Sequence, residues 1–259
     1  MQTVKFALEV LLASLALLAA FAAPSVRAAD PRDSGPLALL ITYHTAPINR
    51  VAFRQAMEQS EVPQLERWRA EGVPKSVRVV FNRHVDSPNW DAMALLTFAR
   101  YSDVERWTQI EKTSPGGLSA KALALTSAIE TAPGDLIRSG GKDSPPGVFL
   151  VIPYEYLVSV NEYIAYLDGY TIPQIEGWME EGVLARYGIF LARYPAGRPW
   201  QAMLILEYKD DAALGARDAT TAKVRGRLKD NAKWKAISDA KKNVRNEKPP
   251  VIADAIVAR

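Results

Sequence analysis

The chain carries one stretch of itself twice. Pro63–Val73 (PQLERWRAEGV) returns as Pro173–Val183 (PQIEGWMEEGV), an offset of 174 − 64 = 110 residues. The same offset carries Arg83 onto Arg193, and Trp90-Asp91-Ala92-Met93 onto Trp200-Gln201-Ala202-Met203. A repeat of this length is a domain rather than a solenoid unit. The fold must therefore be built from two like halves, each with its own core.

Each half reads in the same order. Leu37–Tyr43 and Val148–Ile152 are short apolar runs bounded by breakers, the pattern of strands. A helical stretch follows, with Phe53, Met57, Leu65 and Trp68 on one face in the first half. Ile164, Leu167, Ile175 and Trp178 match them in the second. Pro63 and Pro173 interrupt both stretches at one point, which predicts a helix broken into two segments, with Thr171 capping the second. Gly72 and Gly182 are placed to end them in a left-handed cap. Next come hairpins, Val77–Val85 with Trp90–Arg100 and Tyr187–Tyr194 with Trp200–Tyr208. A second helical region is expected from Asp103 to about Ile129 and from Asp211 to about Val244. Val251–Val257 is a fair fourth strand and Asp135–Arg138 a poor one. The order strand–helix–strand–strand–helix–strand, twice over, is the split βαβ, ferredoxin-like pattern. The boundaries are repeat one at 36–138, a linker at 139–146 and repeat two at 147–258.

The strands are apolar on both faces. Val77, Val79 and Phe81 share one face while Val80 takes the other. Met93 and Leu95 oppose Ala94, Leu96 and Phe98. Helices on one side of a sheet leave the second side to be covered, and the simplest cover is the sheet of the other repeat. The expected fold class is α+β, two tandem βαββαβ repeats packed sheet to sheet as a pseudo-dimeric α+β barrel. The chain is then a monomer with an internal pseudo-dimer, or a homodimer.

Residues 1–29 have the pattern of a signal peptide: Lys5, the apolar run Val10–Ala23, Pro24, and small residues for cleavage after Ala28 or Ala29. Glu9 leaves an uncleaved anchor as the alternative. No later segment is long and apolar enough to span a bilayer. The expectation is an exported, periplasmic or secreted protein. The chain has no cysteine, which excludes disulfides, thiol nucleophiles and a lipidated N-terminal cysteine. Net charge is +3. Ten Lys or Arg lie between Lys223 and Lys248, against Asp230, Asp239 and Glu247. This basic face suits an envelope partner or acidic lipid, or is a solvated helix face; nucleic acid is not expected for an exported chain.

Element order, double-faced strands and duplication together resemble the dimeric α+β barrel superfamily, which includes antibiotic-biosynthesis monooxygenases and NIPSNAP-like and EthD-like proteins. The resemblance covers roughly residues 36–258. Fused two-copy versions occur in chlorite dismutases and dye-decolourising peroxidases. Some members hold haem through a histidine, but neither His44 nor His84 matches a haem-ligand motif, so no cofactor is expected, haem staying open without a motif to support it, and no catalytic residue carries over.

In a ferredoxin-like unit the ends of the first and second strands and the start of the third meet at one rim. That rim would hold Tyr43, His44, Arg83, His84 and Trp90 in repeat one, and Tyr154, Arg193, Tyr194 and Trp200 in repeat two. His44 and His84 are candidate bases and Arg83 a candidate oxyanion clamp. Trp90, Tyr43, Tyr154, Arg193, Tyr194 and Trp200 are candidate binding residues. The persistent Trp and Arg pairs also fit packing and salt bridges. No metal site is expected, because no carboxylate lies at ligand spacing from the histidines. Three functions follow: a binding protein for a small apolar or aromatic ligand, a cofactor-independent monooxygenase or isomerase, or an envelope interaction protein.

Overall fold

A computed structural model describes residues 35, 37–86, 89–142, 145 and 147–257. The expected export segment, 1–29, lies outside them. Nine strands are described: β1 Ala38–Thr45, β2 Ser76–Asn82, β3 Ala92–Thr97, β4 Thr126–Gly141, β5 Val148–Tyr156, β6 Leu184–Ala192, β7 Ala202–Tyr208, β8 Arg245–Glu247 and β9 Val251–Ala255. Their order is β7-β6-β4-β1-β3-β2-β9-β5, and β5 pairs back onto β7. Eight antiparallel strands thus close into a barrel, with β8 added outside on Tyr154–Tyr156 of β5. No described helix is long and apolar enough to cross a membrane.

Each repeat contributes four adjacent strands in the ferredoxin-like order, β4-β1-β3-β2 and β9-β5-β7-β6. The fourth strands join the halves. β4 pairs with β1 as far as Gly134, and from there with β6 of the other repeat. β9 pairs with β5 and, at Ala253–Ala255, with β2. The sheets therefore do more than face each other; they are hydrogen-bonded at both seams. The poor strand expected at Asp135–Arg138 lies inside the longest strand of the barrel. Strand β4 begins before the expected helix end at Ile129 and runs into the stretch read as linker. Partner backbone on both sides outweighs the weak propensity of its Pro133-Gly134 core.

Alternation divides the apolar residues into three cores. Met93, Leu95, Phe149, Val151, Phe190, Met203 and Ile205 point into the barrel. Ile41, Phe81, Ala94, Leu96 and Phe98 pack under the helices of repeat one, and Ile152, Leu191, Leu204 and Leu206 under those of repeat two. The double-faced strands are explained by this division.

The proline positions do not break their helices. Arg50–Ala56 and Val62–Ala70 are joined through a π turn, Met57–Glu61, and Val160–Tyr166 and Ile172–Glu180 through Leu167–Thr171. The Val62 N–H bonds to Met57 O, and Ile172 N–H to Leu167 O, five residues back. The widened turn falls just before the residue with no N–H to donate. Thr171 is accordingly helical (φ −77°, ψ −48°) and caps nothing. The capping box is Ser159 with Glu162, where the helix begins. Gly72 and Gly182 end both helices at φ 74° and 77°, as expected.

Candidate functional site

One end of the barrel is closed. Trp90 and Trp200, each just ahead of a return strand, are buried in the interior core with Met93 and Met203 below them. The rim residues around this end are held in structural contacts. Tyr43 is fully buried, and its hydroxyl donates to Gly116 O at 2.6 Å. Burial holds the Tyr43 phenol far above its ordinary pKa. Arg83 reaches across the seam to Asp254 of β9 and also bonds Asp211. Arg193 mirrors it by bonding Asp135 of β4. These carboxylates raise both guanidinium pKa values. Each persistent arginine therefore clamps the strand that crosses from the other repeat. Tyr154 is buried, with the Arg245 guanidinium 4.2 Å from its ring centre. Tyr194 is exposed, at a left-handed φ of 61°.

The two histidines do not converge. His84 is exposed, and its backbone N–H donates to Asn82 Oδ1 at 3.0 Å. His44 is half-buried in a surface groove of about 360 Å³ with Asp91 and Glu130. Asp91 is already held by Arg50 at 2.8 Å and by the Thr45 N–H. The expected rim residues are not gathered in one cavity: Trp90 and Trp200 are buried in the interior core, His84 is exposed, and His44 lines a separate surface groove. Among the described residues no group of three or more His, Asp or Glu side chains is placed to hold a metal.

The opposite end of the barrel is open. A cavity of about 380 Å³ is lined there by residues at the start of β2 and β6 and the end of β3 and β7. The offset of 110 pairs these walls: Ser76 with Arg186, Arg78 with Gly188, Leu95 with Ile205, and Thr97 with Glu207. The mouth thus straddles the pseudo-twofold, but its two halves are furnished differently. Phe149, Phe190, Leu95 and Ile205 form apolar walls. The lining also holds the hydroxyls of Ser76 and Thr97, which bond each other, and a charged cluster. Glu207 is 3% exposed; its Oε2 accepts from Arg78 Nη1 at 2.7 Å and lies 3.8 Å from Arg186 Nε. Arg78 also sits 5.6 Å from the Phe149 ring centre. Glu207 Oε1 is buried and accepts no hydrogen bond among the described residues.

Sequence reasoning missed this cluster, although a signal was there. Inward positions alternate, so Met203 and Ile205 are followed by Glu207, Arg186 precedes Phe190 in phase, and Arg78 precedes Val80. Charged residues in phase with a core face are the informative ones.

The mouth does not fit a haem. None of its lining residues is a histidine, cysteine or methionine. Burial raises the pKa of Tyr187, which disfavours a phenolate ligand. In repeat two, between sheet and helices, the rings of Tyr156, Tyr163, Tyr166, Tyr170 and Trp234 stack in succession at 5.0–6.0 Å. They leave a cavity of only about 50 Å³. The basic stretch 223–248 is partly neutralised within the chain: Lys223 and Arg227 pair with Glu181, and Lys235 with Asp239.

The chain matches no protein-family model and no curated protein. Solved structures do resemble it. A candidate monooxygenase of Fusobacterium nucleatum subsp. nucleatum superposes with a TM-score of 0.52 at 12% identity, over 86% of this chain and 93% of the other. A candidate monooxygenase of Lactobacillus acidophilus gives 0.52 at 11%, over 86% and 96%. An anthrone oxidase-like protein gives 0.51 at 10%, over 88% and 93%.

Proposed function

We propose, from the premise that this chain has the dimeric α+β barrel fold with both units in one polypeptide, that it binds a small apolar or aromatic molecule in the open barrel mouth. The observation that carries this reading is the cavity of about 380 Å³, apolar on its walls with a few convergent charged groups. Ligand sites generally have this make-up. Trp90 and Trp200 of the other rim are buried in the interior core, and Arg83 and Arg193 are engaged in ion pairs across the seams, which favours the mouth as the binding place.

Thermal-shift and NMR titration with aromatic and alkyl carboxylates test the reading. Binding should be lost when Gly188→Leu fills the mouth, since a Cβ at Gly188 already meets Phe190 at 3.1 Å and Leu136 at 3.4 Å. Ligand binding that survives this substitution, or no binding at all, removes the reading.

A monooxygenase reading is supported by the likeness to the two candidate monooxygenases and the anthrone oxidase-like protein. In its favour stands the shared fold; against it stands the distance of His44 and His84 from the mouth lining. Dioxygen uptake with each bound ligand separates binding from turnover. Export to the periplasm remains part of the proposal, on the pattern of residues 1–29. The N-terminus of the protein recovered from a bacterial periplasm should begin at Ala29 or Asp30.

A further inference from the structure

We infer that the molecule taken by the mouth is a 2-hydroxycarboxylate with an aryl or branched alkyl body; this rests on the mouth-binding reading above. Three observations converge on that class. The first is the orphaned oxygen. Glu207 lines the cavity, and its Oε1 is buried and accepts no hydrogen bond among the described residues. A buried acceptor left unmade costs on the order of 1–3 kcal/mol, and more when charged. A donor arriving in the cavity removes that cost.

The second is Arg78. Of its five N–H donors, Nη1 bonds Glu207, and among the described residues its guanidinium also sits over the face of Phe149. It lines the cavity and is one-third exposed. A guanidinium so placed suits a carboxylate, which it can hold through two parallel bonds. The anion-holding group and the donor-seeking oxygen belong to one ion pair, so they are neighbours. A ligand must therefore present an anion and a hydroxyl on adjacent atoms, as a 2-hydroxycarboxylate does.

The third is the wall. Phe149, Phe190, Leu95 and Ile205 offer flat and branched apolar surface to whatever the third substituent of that carbon carries. Repeat one has Thr97 where repeat two has Glu207, and repeat two has Gly188 where repeat one has Arg78. The twofold-related pair is absent, so the mouth has one such corner and one orientation for the ligand.

The experiment compares mandelate, phenylacetate and α-methoxyphenylacetate on the full chain by calorimetry and NMR titration. These share the carboxylate and ring and differ in the hydroxyl. The expected result is mandelate binding at least tenfold tighter than the other two, because sites built around a buried polar group reject analogues lacking its partner. Glu207→Leu, which has no oxygen to accept the hydroxyl, should bring the three within about threefold of one another. Should that variant fail to fold, the wild-type comparison still decides the matter. Equal binding of all three to the wild type overturns the inference and leaves the mouth reading standing. Binding of none, or binding unaffected by Gly188→Leu, overturns both. A mandelate preference that persists unchanged in a folded Glu207→Leu variant overturns the role given to the carboxylate.

Discussion

Tyr43 shows how a residue changes meaning once its surroundings are known. In the sequence it stands at a strand end beside His44 and suggests a ligand contact. In the fold its side chain is buried on the helix side, and its hydroxyl is committed to Gly116 O. Tyr43→Phe should lower stability by about 1 kcal/mol, the usual worth of a buried neutral hydrogen bond, measured by urea unfolding. The phenol also sets a pH dependence. Burial raises the pKa of Tyr43, Tyr154 and Tyr163 above the ordinary value of 10.0. Above pH 10 the unfolded chain releases these protons while the folded chain keeps them. Stability is thus fully present below pH 10 and falls as pH rises beyond it. Unfolding midpoints recorded from pH 8 to pH 11 should show this decline, and Tyr43→Phe should make it shallower. An unchanged slope in the variant would assign the alkaline loss elsewhere. The pairs that persist at the offset of 110 resolve differently. Trp90 and Trp200 plug the barrel, and Arg83 and Arg193 clamp its seams. Their shared scaffold role was legible in the repeat; the partners Asp254 and Asp135 were not, because each lies in the other repeat.

At the scale of elements, local pattern found the strands that alternate and the helices with one apolar face. It misjudged two features. Proline was expected to break both helices, whereas a π turn carries each past it. Of strand β4 only Asp135–Arg138 reads as a poor strand, with Thr126–Ile129 in the expected helix and Ser139–Gly141 in the expected linker, since Thr126–Gly141 contains Pro133, Gly134, Gly140 and Gly141 and lacks clean alternation. That segment is a strand because two neighbours template it, β1 along its first half and β6 along its second. Gly134 stands where the partner changes, and a Cβ there would lie 2.8 Å from Leu191 O. Gly134→Ala should therefore push β4 off β6 and cost roughly 1–3 kcal/mol, the range for overpacking at a tight site. Amide exchange at β4 and β6 should quicken while that of β1 and β3 is spared. Uniform quickening across the barrel would contradict a local role for this contact.

For the whole molecule, closure makes the repeats interdependent. Repeat one lends β4 to β6, and repeat two lends β9 to β2. A repeat produced alone would expose the interior residues Met93 and Leu95, or Met203 and Ile205, together with two open strand edges. Residues 36–138 and 147–258 expressed separately should aggregate or self-associate, and expressed together should purify as a 1:1 complex. Size-exclusion chromatography with light scattering checks this, and two stable monomers would refute it. The duplication and the double-faced strands, both carried by residue order, already determined a two-unit α+β barrel, because apolar residues in both phases of a strand must be covered twice. Only the tertiary structure decided which end of that barrel is open. Near the rim of His44 and His84, Trp90 and Trp200 are buried in one interior core although they lie 110 residues apart in sequence. The opposite mouth gathers Arg78 of β2 with Arg186 and Glu207 of the β6–β7 hairpin, which lies more than a hundred residues further along the chain. Pairing across the barrel depends on closure and register, which are long-range properties that no local window of sequence contains.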